Sequence, residues 1–325
     1  MSRKTGDLME NKGLEFEEYI LEFERKLVEL KEIASSFNTD LFAEIKAVEK
    51  QLLKEKKLFY SSLTPWQKVL ISRDSLRPRS SDYINELLTN KVELFGDRIH
   101  GDDPAIIGGL ATFRGYKVVF LGQEKGRDTK ERIAKNFGYM HPEGYRKALR
   151  LMKLAEKFGK PVISFVDTPG AAPGVEAELR GQPMAIGENL AMMSALRVPI
   201  LSIVIGEGGS GGALGVGVSD KILMLENSIY CVCAPETCSQ ILWRSNDRAP
   251  EAAQAFKLTA DELKKLGIID EVIKEPLGGA HRDPKFAIKN VGLSIKRNLV
   301  NLTSLSIDEL VERRYQKYRK IGAVA

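Results

Sequence analysis

The chain has 325 residues, of which 43% are hydrophobic and 29% charged, so it can build a substantial globular core. Its formal net charge is only +5, which is too small an excess to predict nucleic acid as the main partner. Three cysteines and three histidines exclude a disulfide scaffold and any mechanism that needs several imidazoles.

The amino-terminal residues MSRKTGDLMENKG are polar and lack the apolar stretch of a secretory signal, which favours a cytoplasmic protein. The most apolar stretch, residues 198–218, contains several glycines, and Glu207 is its only charge. This composition predicts a buried strand, a tight turn and a short helix. No membrane insertion is expected.

Two sets of apolar residues near the amino terminus recur at steps of three and four, the spacing of one helix face. They are Phe16, Ile20, Phe23, Leu27 and Leu30, then Leu41, Ile45, Val48, Leu52 and Phe59. Between them, Asn38-Thr39-Asp40 suits a helix cap. We predict a helical hairpin in an amino-terminal helical region, residues 1–97. Packing on its own domain is favoured over a partner-binding coiled coil, because neither stripe spans many heptads.

Residues 98–285 alternate short apolar runs with helical segments, which predicts an α/β core. The predicted strands are Ala105–Thr112, Lys117–Leu121, Val162–Val166, Pro199–Ile205, Lys221–Leu225 and Ile229–Val232. The predicted helices are Pro142–Phe158, Glu176–Ala195 and Gly211–Val218. Residues 286–325 form a predicted helical tail, in which Ser306 and Glu309 have the spacing of a capping box.

The segment Gly206–Ala213, GEGGSGGA, follows an apolar run and is compatible with several sites. Its glycines fit the GxGxxG pattern of dinucleotide binding, with Glu226 as a ribose-binding acid. Only about eight residues separate them from Lys221, which is too short for a crossover helix. GGSGG also fits a nucleophile elbow, in which Ser210 would be the nucleophile of a serine hydrolase and His281 its base.

A third interpretation of the same segment is an oxyanion hole formed by the backbone amides of Gly211 and Gly212. It needs no histidine and explains why so many adjacent residues are glycine. A purely structural role in close helix–strand packing is also open. A second turn, Asp167-Thr168-Pro169-Gly170, follows another strand and has no phosphate-binding GxxxxGK[ST] loop before it. We expect the two turns to line one pocket from both sides.

The remaining candidates are basic residues, cysteines and His281. Nine basic residues are candidates for contact with a phosphate-bearing coenzyme. Acidic residues lie among them, which favours the alternative that they form solvated helix faces. The nine are Lys125, Arg127, Lys130, Arg132, Lys135, Arg146, Lys147, Arg150 and Lys153. Cys231, Cys233 and Cys238 lie close together, but a C-x-C strand without a second cysteine pair predicts a buried, metal-free role. His281 is a ligand, a base or a positioning group.

Seven segments together resemble the α subunit family of the bacterial acetyl-CoA carboxylase carboxyltransferase. They are TPWQKVLISR, GRDTKERIAKNFG, HPEGYRKALRLMKLAEKFG, DTPGAAPG, IGEGGSGGALGVGVSD, ILWRSNDRAPEAA and GIIDEVIKEPLGGAHRD. They cover residues 63–283 in the family's order. The terminal helices resemble the family only in kind.

This resemblance implies a crotonase-like spiral of ββα units with a helical hairpin before it and a helical tail after it. It implies assembly with a β subunit that carries a zinc ribbon, as an α2β2 heterotetramer. The pair would transfer the carboxyl group of carboxybiotin, borne on the biotin carboxyl carrier protein, to acetyl-CoA. The product, malonyl-CoA, commits carbon to fatty acid biosynthesis. Biotin carboxylase would complete the ATP-binding complex.

The resemblance also implies roles for individual residues. The amides of Gly211 and Gly212 would hold the biotin carbonyl oxygen, and no metal would bind to this chain. The carboxybiotin pocket would include Gly170, Ala171, Gly208, Gly209, Ser210 and Ala213. The chain departs from the family's pattern at Ala172, Pro183-Met184, Cys231, Cys233 and Thr237.

Overall fold

A computed structural model describes residues 14–36 and 40–322 of the chain. Its central element is an eight-stranded mixed sheet with helices on both faces. The strands are β1 (Thr89–Glu93), β2 (Ile106–Phe113), β3 (Tyr116–Gln123), β4 (Val162–Thr168), β5 (Ile200–Gly209), β6 (Lys221–Leu225), β7 (Ile229–Cys231) and β8 (Glu271–Ile273).

Helices precede the sheet, alternate with its strands and follow it. Before the sheet and up to β4 they are α1 (Glu18–Ser36), α2 (Phe42–Ser61), α3 (Pro65–Ser72), α4 (Ser80–Leu87), α5 (Thr129–Ala134) and α6 (Pro142–Lys157). After β4 come α7 (Val175–Leu179), α8 (Gln182–Ala195), α9 (Ser210–Gly217), α10 (Pro235–Trp243), α11 (Ala249–Phe256), α12 (Ala260–Lys265), α13 (Pro284–Thr303) and α14 (Ile307–Lys320).

The sheet order is β1-β2-β3-β4-β5-β6-β8, with β7 also paired to β5. The first three strands are antiparallel, and β3 to β8 pair in parallel. β5 changes partner along its length: residues 201–204 pair with β6, whereas residues 207–209 pair with β7. The sheet therefore forks at the carboxyl end of β5, where parallel sheets commonly open a ligand crevice.

Every residue of β4 and β5 is buried, which explains why both strands read as continuous apolar runs. Alternate side chains of β5 enter two separate cores. Ile200 and Val204 pack with α6 and α8, while Leu201 and Ile203 pack with α4 and α13. The helices packed on the two faces of the sheet thus hold β4 and β5 rigidly from both sides.

The sequence predicted most core elements, with informative differences. Each predicted strand is present, but β5 extends through Gly209, so Gly206–Gly209 belong to the strand and only Ser210 begins the turn into α9. The predicted helix Glu176–Ala195 is wrong as a single helix. It is divided into α7 and α8 because Gly181 adopts the left-handed φ of +84°, and a new helix begins at Gln182 with Pro183 in its first turn. β1 and β8 were not predicted.

The amino-terminal hairpin is confirmed as two helices, α1 and α2. Phe16, in the 3-10 turn that leads into α1, stacks on Phe59 of α2. Arg282 of the core pairs with Glu17 and Glu24, at 3.6 and 3.4 Å, so the hairpin contacts its own domain. Asn38 and Thr39 of the predicted cap lie outside the described residues. Asp40 does accept a hydrogen bond from the Phe42 amide, at 3.2 Å.

In the carboxyl-terminal tail, the Ser306 hydroxyl accepts a hydrogen bond from the Glu309 amide, which confirms Ser306 as the cap of α14. Among the described residues, the reciprocal bond from Ser306 N to the Glu309 side chain is absent, so the capping box is only half formed. Arg314 of the same helix is fully buried. Its guanidinium donates to both carboxylate oxygens of Asp220, at 2.8 and 2.9 Å, and to three carbonyl oxygens around the end of α8. Within the described residues, no helix combines the length and apolar composition that a membrane crossing requires.

Removing the Arg314 guanidinium would leave the Asp220 carboxylate buried without its partner. We expect Arg314→Ala to lower the free energy of unfolding by about 3–5 kcal/mol. Arg313→Ala is the matched control, because Arg313 is exposed and, within residues 14–36 and 40–322, its ion pair is with Glu309 on the same helix. Its expected effect is below about 0.5 kcal/mol. Urea unfolding of both variants measures the difference, and similar losses in the two would contradict this role of Arg314.

Candidate functional site

A cavity of about 840 Å³ opens where β4 and β5 end, and we call it the main cavity. The turn after β4, the start of α9 and the segment leading into α10 form its walls. Its lining residues are Arg73, Tyr139, Pro169, Gly170, Ala171, Pro173, Gln182, Pro183, Ile186, Glu207, Ser210, Gly211, Val232, Cys233, Ala234, Glu236 and Thr237. Both predicted turns therefore line one pocket, as expected from the sequence.

Glycine is required where the two turns meet. A Cβ on Gly209 would lie 2.1 Å from the Pro169 carbonyl oxygen, and one on Gly212 would lie 2.3 Å from the Gly170 carbonyl carbon. Both contacts are with backbone, which cannot move aside as a side chain could. A Cβ on Gly208 would likewise approach Tyr230, at 2.7 Å. These three glycines lie behind the cavity surface and hold its walls together.

The first turn of α9 presents backbone amides at the cavity. The first four amides of a helix have no acceptor inside the helix. Across residues 14–36 and 40–322, no side chain accepts a hydrogen bond from the Gly211 or Gly212 amide. Gly211 lines the cavity, and a Cβ there would make only ordinary contact with Ile186, at 3.6 Å. The geometry suits stabilisation of a negatively charged oxygen.

Gln123 joins the two walls from within the core. Its Nε2 donates to the Gly212 carbonyl at 2.8 Å, and its Oε1 accepts from the Asp167 amide at 3.2 Å. The side chain is almost completely buried. Gln123 therefore fixes the start of α9 relative to the end of β4, which sequence reasoning did not find because no motif marks a lone glutamine.

A chain of alternating charges lies at the fork of β5. Lys125 Nζ contacts Asp167 at 2.8 Å and Glu207 at 2.5 Å, and Arg73 Nε donates to the other Glu207 oxygen at 2.6 Å. Arg73 also pairs with Glu236 at the cavity wall. Each carboxylate in this chain has a cationic partner, so the buried charges are compensated.

Burial alone would raise the pKa of Glu207, but the charges of Lys125 and Arg73 and their hydrogen bonds outweigh it and lower the pKa to about 2. Glu207 is therefore an anion throughout the physiological range. The sequence signal was its position as the sole charge in an apolar strand. Arg73 and Glu236 gave no such signal, because the fold brings them from distant segments.

The predicted site residues fall into two groups. Gly170, Ala171, Ser210 and Gly211 line the main cavity. Gly208, Gly209, Gly212 and Ala213 are buried behind it. Of the departures from the family's pattern, Pro183, Cys233 and Thr237 line the cavity, whereas Ala172 is buried outside the lining.

The serine hydrolase alternative finds no support in the arrangement of its two residues. Ser210 has the left-handed φ of +49° that a nucleophile elbow would show. His281, however, does not line the main cavity; it packs against Gly279 and lies near Arg77 and Arg282. Burial is the main cause that lowers the pKa of His281. Ser210 thus has no histidine base among the described residues that line the cavity.

The cysteines differ from the prediction in one respect. Cys238 is buried and Cys231 packs against a small apolar cluster, but Cys233 lies beyond the end of β7 and lines the main cavity, so the two side chains of the C-x-C pair do not enter one core. Burial, followed by the nearby Glu207 charge, raises the pKa of Cys231 to about 12. Within the described residues, no group of His, Cys, Asp and Glu side chains has an arrangement suited to a metal ion.

Several of the basic residues are neither solvated nor free for a coenzyme. Lys125, Lys135 and Arg146 form ion pairs at buried or half-buried positions, whereas Arg127 pairs with Asp82 but stays exposed. Lys147 is fully buried and donates to the Ile106 carbonyl at 2.9 Å. The expectation of solvated side chains is therefore wrong for Lys125, Lys135, Arg146 and Lys147, whereas the exposed Arg127 agrees with it.

Comparison with known proteins identifies the family. The model of the "Acetyl co-enzyme A carboxylase carboxyltransferase-like" family matches residues 13–322. The chain belongs to this family. The acetyl-coenzyme A carboxylase carboxyl transferase subunit alpha of Thermus thermophilus is 51% identical over 312 residues, 96% of this chain and 99% of that protein. The Bacillus subtilis subunit of the same name is 50% identical over 96% of each chain.

The similarity of this chain to solved structures shows that it has the predicted crotonase-like fold. Transcarboxylase 12S, with methylmalonyl-coenzyme A bound, superposes with a TM-score of 0.54 at 20% identity, over 66% of this chain and 42% of that chain. A Pseudomonas malonate decarboxylase hetero-tetramer in complex with coenzyme A gives a TM-score of 0.54 at 18% identity, over 66% of this chain and 86% of that one.

The low pKa of Glu207 predicts a specific pH dependence of stability. Because the folded-state pKa of about 2 lies below the ordinary value of 4.5, the ionised group stabilises the fold above about pH 4.5 and loses this effect as the pH falls towards 2. We expect Glu207→Gln to reduce the free energy of unfolding by roughly 3 kcal/mol at neutral pH. The gap between variant and wild type should narrow below about pH 4.5.

Urea unfolding at a series of pH values measures this gap. Glu251→Gln is the control, because the Glu251 carboxylate is exposed and, among the described residues, its ion pair is with Arg248 at the start of the same helix. A gap for Glu207→Gln that stays constant from neutral pH into the acid range would contradict the assigned ionisation.

Proposed function

We propose that this chain is the α subunit of an acetyl-CoA carboxylase carboxyltransferase and that, with a β subunit, it transfers the carboxyl group of carboxybiotin to acetyl-CoA. The observation that carries the proposal is the first turn of α9 in a family member, where Gly211 lines the main cavity and Gly212 lies directly behind it. The product would be malonyl-CoA, the first committed intermediate of fatty acid biosynthesis.

The main cavity suits the biotin group of a carrier protein in size and chemistry. Its volume of about 840 Å³ is within the range of small-molecule sites. Pro173, Ile186 and Val232 supply apolar surface for the rings, and Gly211 lies at the cavity surface. The proposed donors for the carbonyl oxygen are the amides of Gly211 and of the next residue in the same helix turn, Gly212. Because both donors belong to the backbone of one helix turn, their positions are set before the ligand binds.

Biotin, when bound, carries the activated carboxyl group and can accept a proton at its ureido nitrogen. The chain's own contribution is to place that group and to stabilise the negative charge on its carbonyl oxygen as the carboxyl group leaves. Gly170 and Ala171 form the facing wall, with Gly208, Gly209 and Ala213 behind the first turn of α9. Ser210 shapes the rim and has no assigned step.

We propose that the β subunit supplies the acetyl-CoA side of the site in a heterotetramer of two α and two β subunits. The biotin carboxyl carrier protein would deliver its biotin to the main cavity, after loading by biotin carboxylase at the expense of ATP. We further propose a cytoplasmic location and a division of the chain into residues 1–97, 98–285 and 286–325. The resemblance of the sequence to the family supports these assignments.

Gly212→Ala tests the backbone site. The added Cβ would lie 2.3 Å from the Gly170 carbonyl carbon, so the two walls must separate and the amides shift. Because loss of one such donor typically lowers turnover by about 10²–10³-fold, we expect a fall of that order in malonyl-CoA formation. The assay combines the chain with β subunit, biotinylated carrier, biotin carboxylase, ATP, bicarbonate and acetyl-CoA.

Gly187→Ala is the matched control for that variant. Gly187 lies on α8 at the surface, and a Cβ there meets nothing within 4 Å. Its turnover should equal that of the wild type. Circular dichroism and co-purification with the β subunit check that both variants fold and assemble. Unchanged turnover of assembled Gly212→Ala would remove this helix turn from the site, and no malonyl-CoA from a folded wild-type mixture would contradict the function.

A further inference from the structure

A second cavity of about 210 Å³ adjoins the main cavity and has no part in the function proposed above. Its lining residues are Arg73, Arg79, Lys125, Arg132, Phe137, Pro169 and Glu207. Because four of these residues are cationic and one is anionic, we call it the cationic cavity. Arg73, Pro169 and Glu207 line both cavities, so these side chains separate the two spaces.

Two of the four cations already have close carboxylate partners. Lys125 pairs with Asp167 and Glu207, and Arg73 pairs with Glu207 and Glu236. The cavity has four cationic side chains, and their carboxylate neighbours are Asp167, Glu207 and Glu236. Together these groups carry one net positive charge. That excess favours a monoanion over a dianion as the ligand.

The other two cations have unused hydrogen-bonding capacity. Arg79 is only 3% exposed, yet its guanidinium makes only long contacts, 3.5 Å to Asp167 and 3.3 Å to the Ser75 carbonyl. Across residues 14–36 and 40–322, nothing accepts a hydrogen bond from Arg79 Nε. In the same part of the chain, Arg132 forms no ion pair. Because buried donors normally have acceptors, the Arg79 guanidinium suits an anionic ligand in this cavity, and the half-buried Arg132 adds a charge beside it.

We propose that the cationic cavity binds a small planar oxyanion, of the carboxylate or bicarbonate type. Its volume is sufficient for such an ion and a few water molecules. The planar fork of an arginine presents parallel donors that match the two oxygens of a carboxylate. Arg79 supplies buried donors on one side and Arg132 supplies the otherwise unpaired charge at the opening.

The position of this site gives it a connection with carboxyl transfer. An anion in the cationic cavity would lie beside Arg73 and Glu207, which also line the main cavity. It would therefore add a negative charge to the wall of the cavity that is proposed to hold biotin. This connection rests on the proposed function, whereas binding of the anion does not depend on it.

Titration calorimetry of the full-length chain with sodium bicarbonate, and separately with sodium acetate, tests the proposal. Sodium chloride at equal ionic strength is the reference. Wild type, Arg132→Gln and Lys130→Gln are compared. Lys130 is the matched control because it lies on the same helix, α5, is exposed and does not line the cavity. We expect saturable binding that weakens about tenfold or more in Arg132→Gln and is unchanged in Lys130→Gln.

Arg132 lies at the partly exposed end of the cavity, so its replacement leaves the core intact, and thermal unfolding of the variant verifies this. Failure of both anions to bind beyond the chloride reference would overturn the proposal, as would equal weakening in the two variants. Tighter Arg132-dependent binding of inorganic phosphate would overturn the assignment to a planar monoanion. Malonyl-CoA formation is measured separately, so failure of the proposed function and failure of this site are distinguishable.

Discussion

The close approach of two backbone turns is the constraint on which the site depends. The end of β5 and the start of α9 contact the turn after β4 at distances that exclude any Cβ at Gly209 and Gly212. Bringing main chain against main chain has two consequences. It leaves no side chain to fill the space in front of the turn, so a cavity forms. It also leaves the amides at the start of α9 available to a ligand instead of covered by a side chain.

The fork at the end of β5 must also be filled, because a strand that changes partner leaves a gap beside its carboxyl end. Polar groups fill this gap. Glu207 lies at the fork, and Lys125 and Arg73 approach it from the ends of β3 and α3. Burial of any one of these charges alone would be strongly destabilising, whereas the alternating chain compensates each charge. Glu207, Lys125 and Arg73 therefore fill the gap in the sheet, and Glu207 and Arg73 also form part of the wall between the two cavities.

The sequence predicts best what depends on local pattern. The buried strands β4 and β5 are continuous apolar runs, and the glycine-rich turn stands out without any alignment. Boundaries set by tertiary pairing are harder to predict: the glycines after Ile205 look like a turn, but pairing with β7 holds them in the strand. The exposed strand β1 has no apolar pattern to detect. Arg73 and Glu236 are invisible as site residues, because only the fold brings them together.

The scarcity of histidine in the sequence agrees with the chemistry of the cavity. Glu207 is held as an anion by its two cationic neighbours, so it is a poor proton acceptor at neutral pH. Burial, then the neighbouring Cys238, raises the pKa of Cys233, which keeps that thiol protonated. These groups contribute fixed charge or neutral surface rather than proton transfer. If the chain acts as proposed, the proton must move on the bound substrates or on groups from a β subunit, and this chain contributes placement and electrostatic stabilisation.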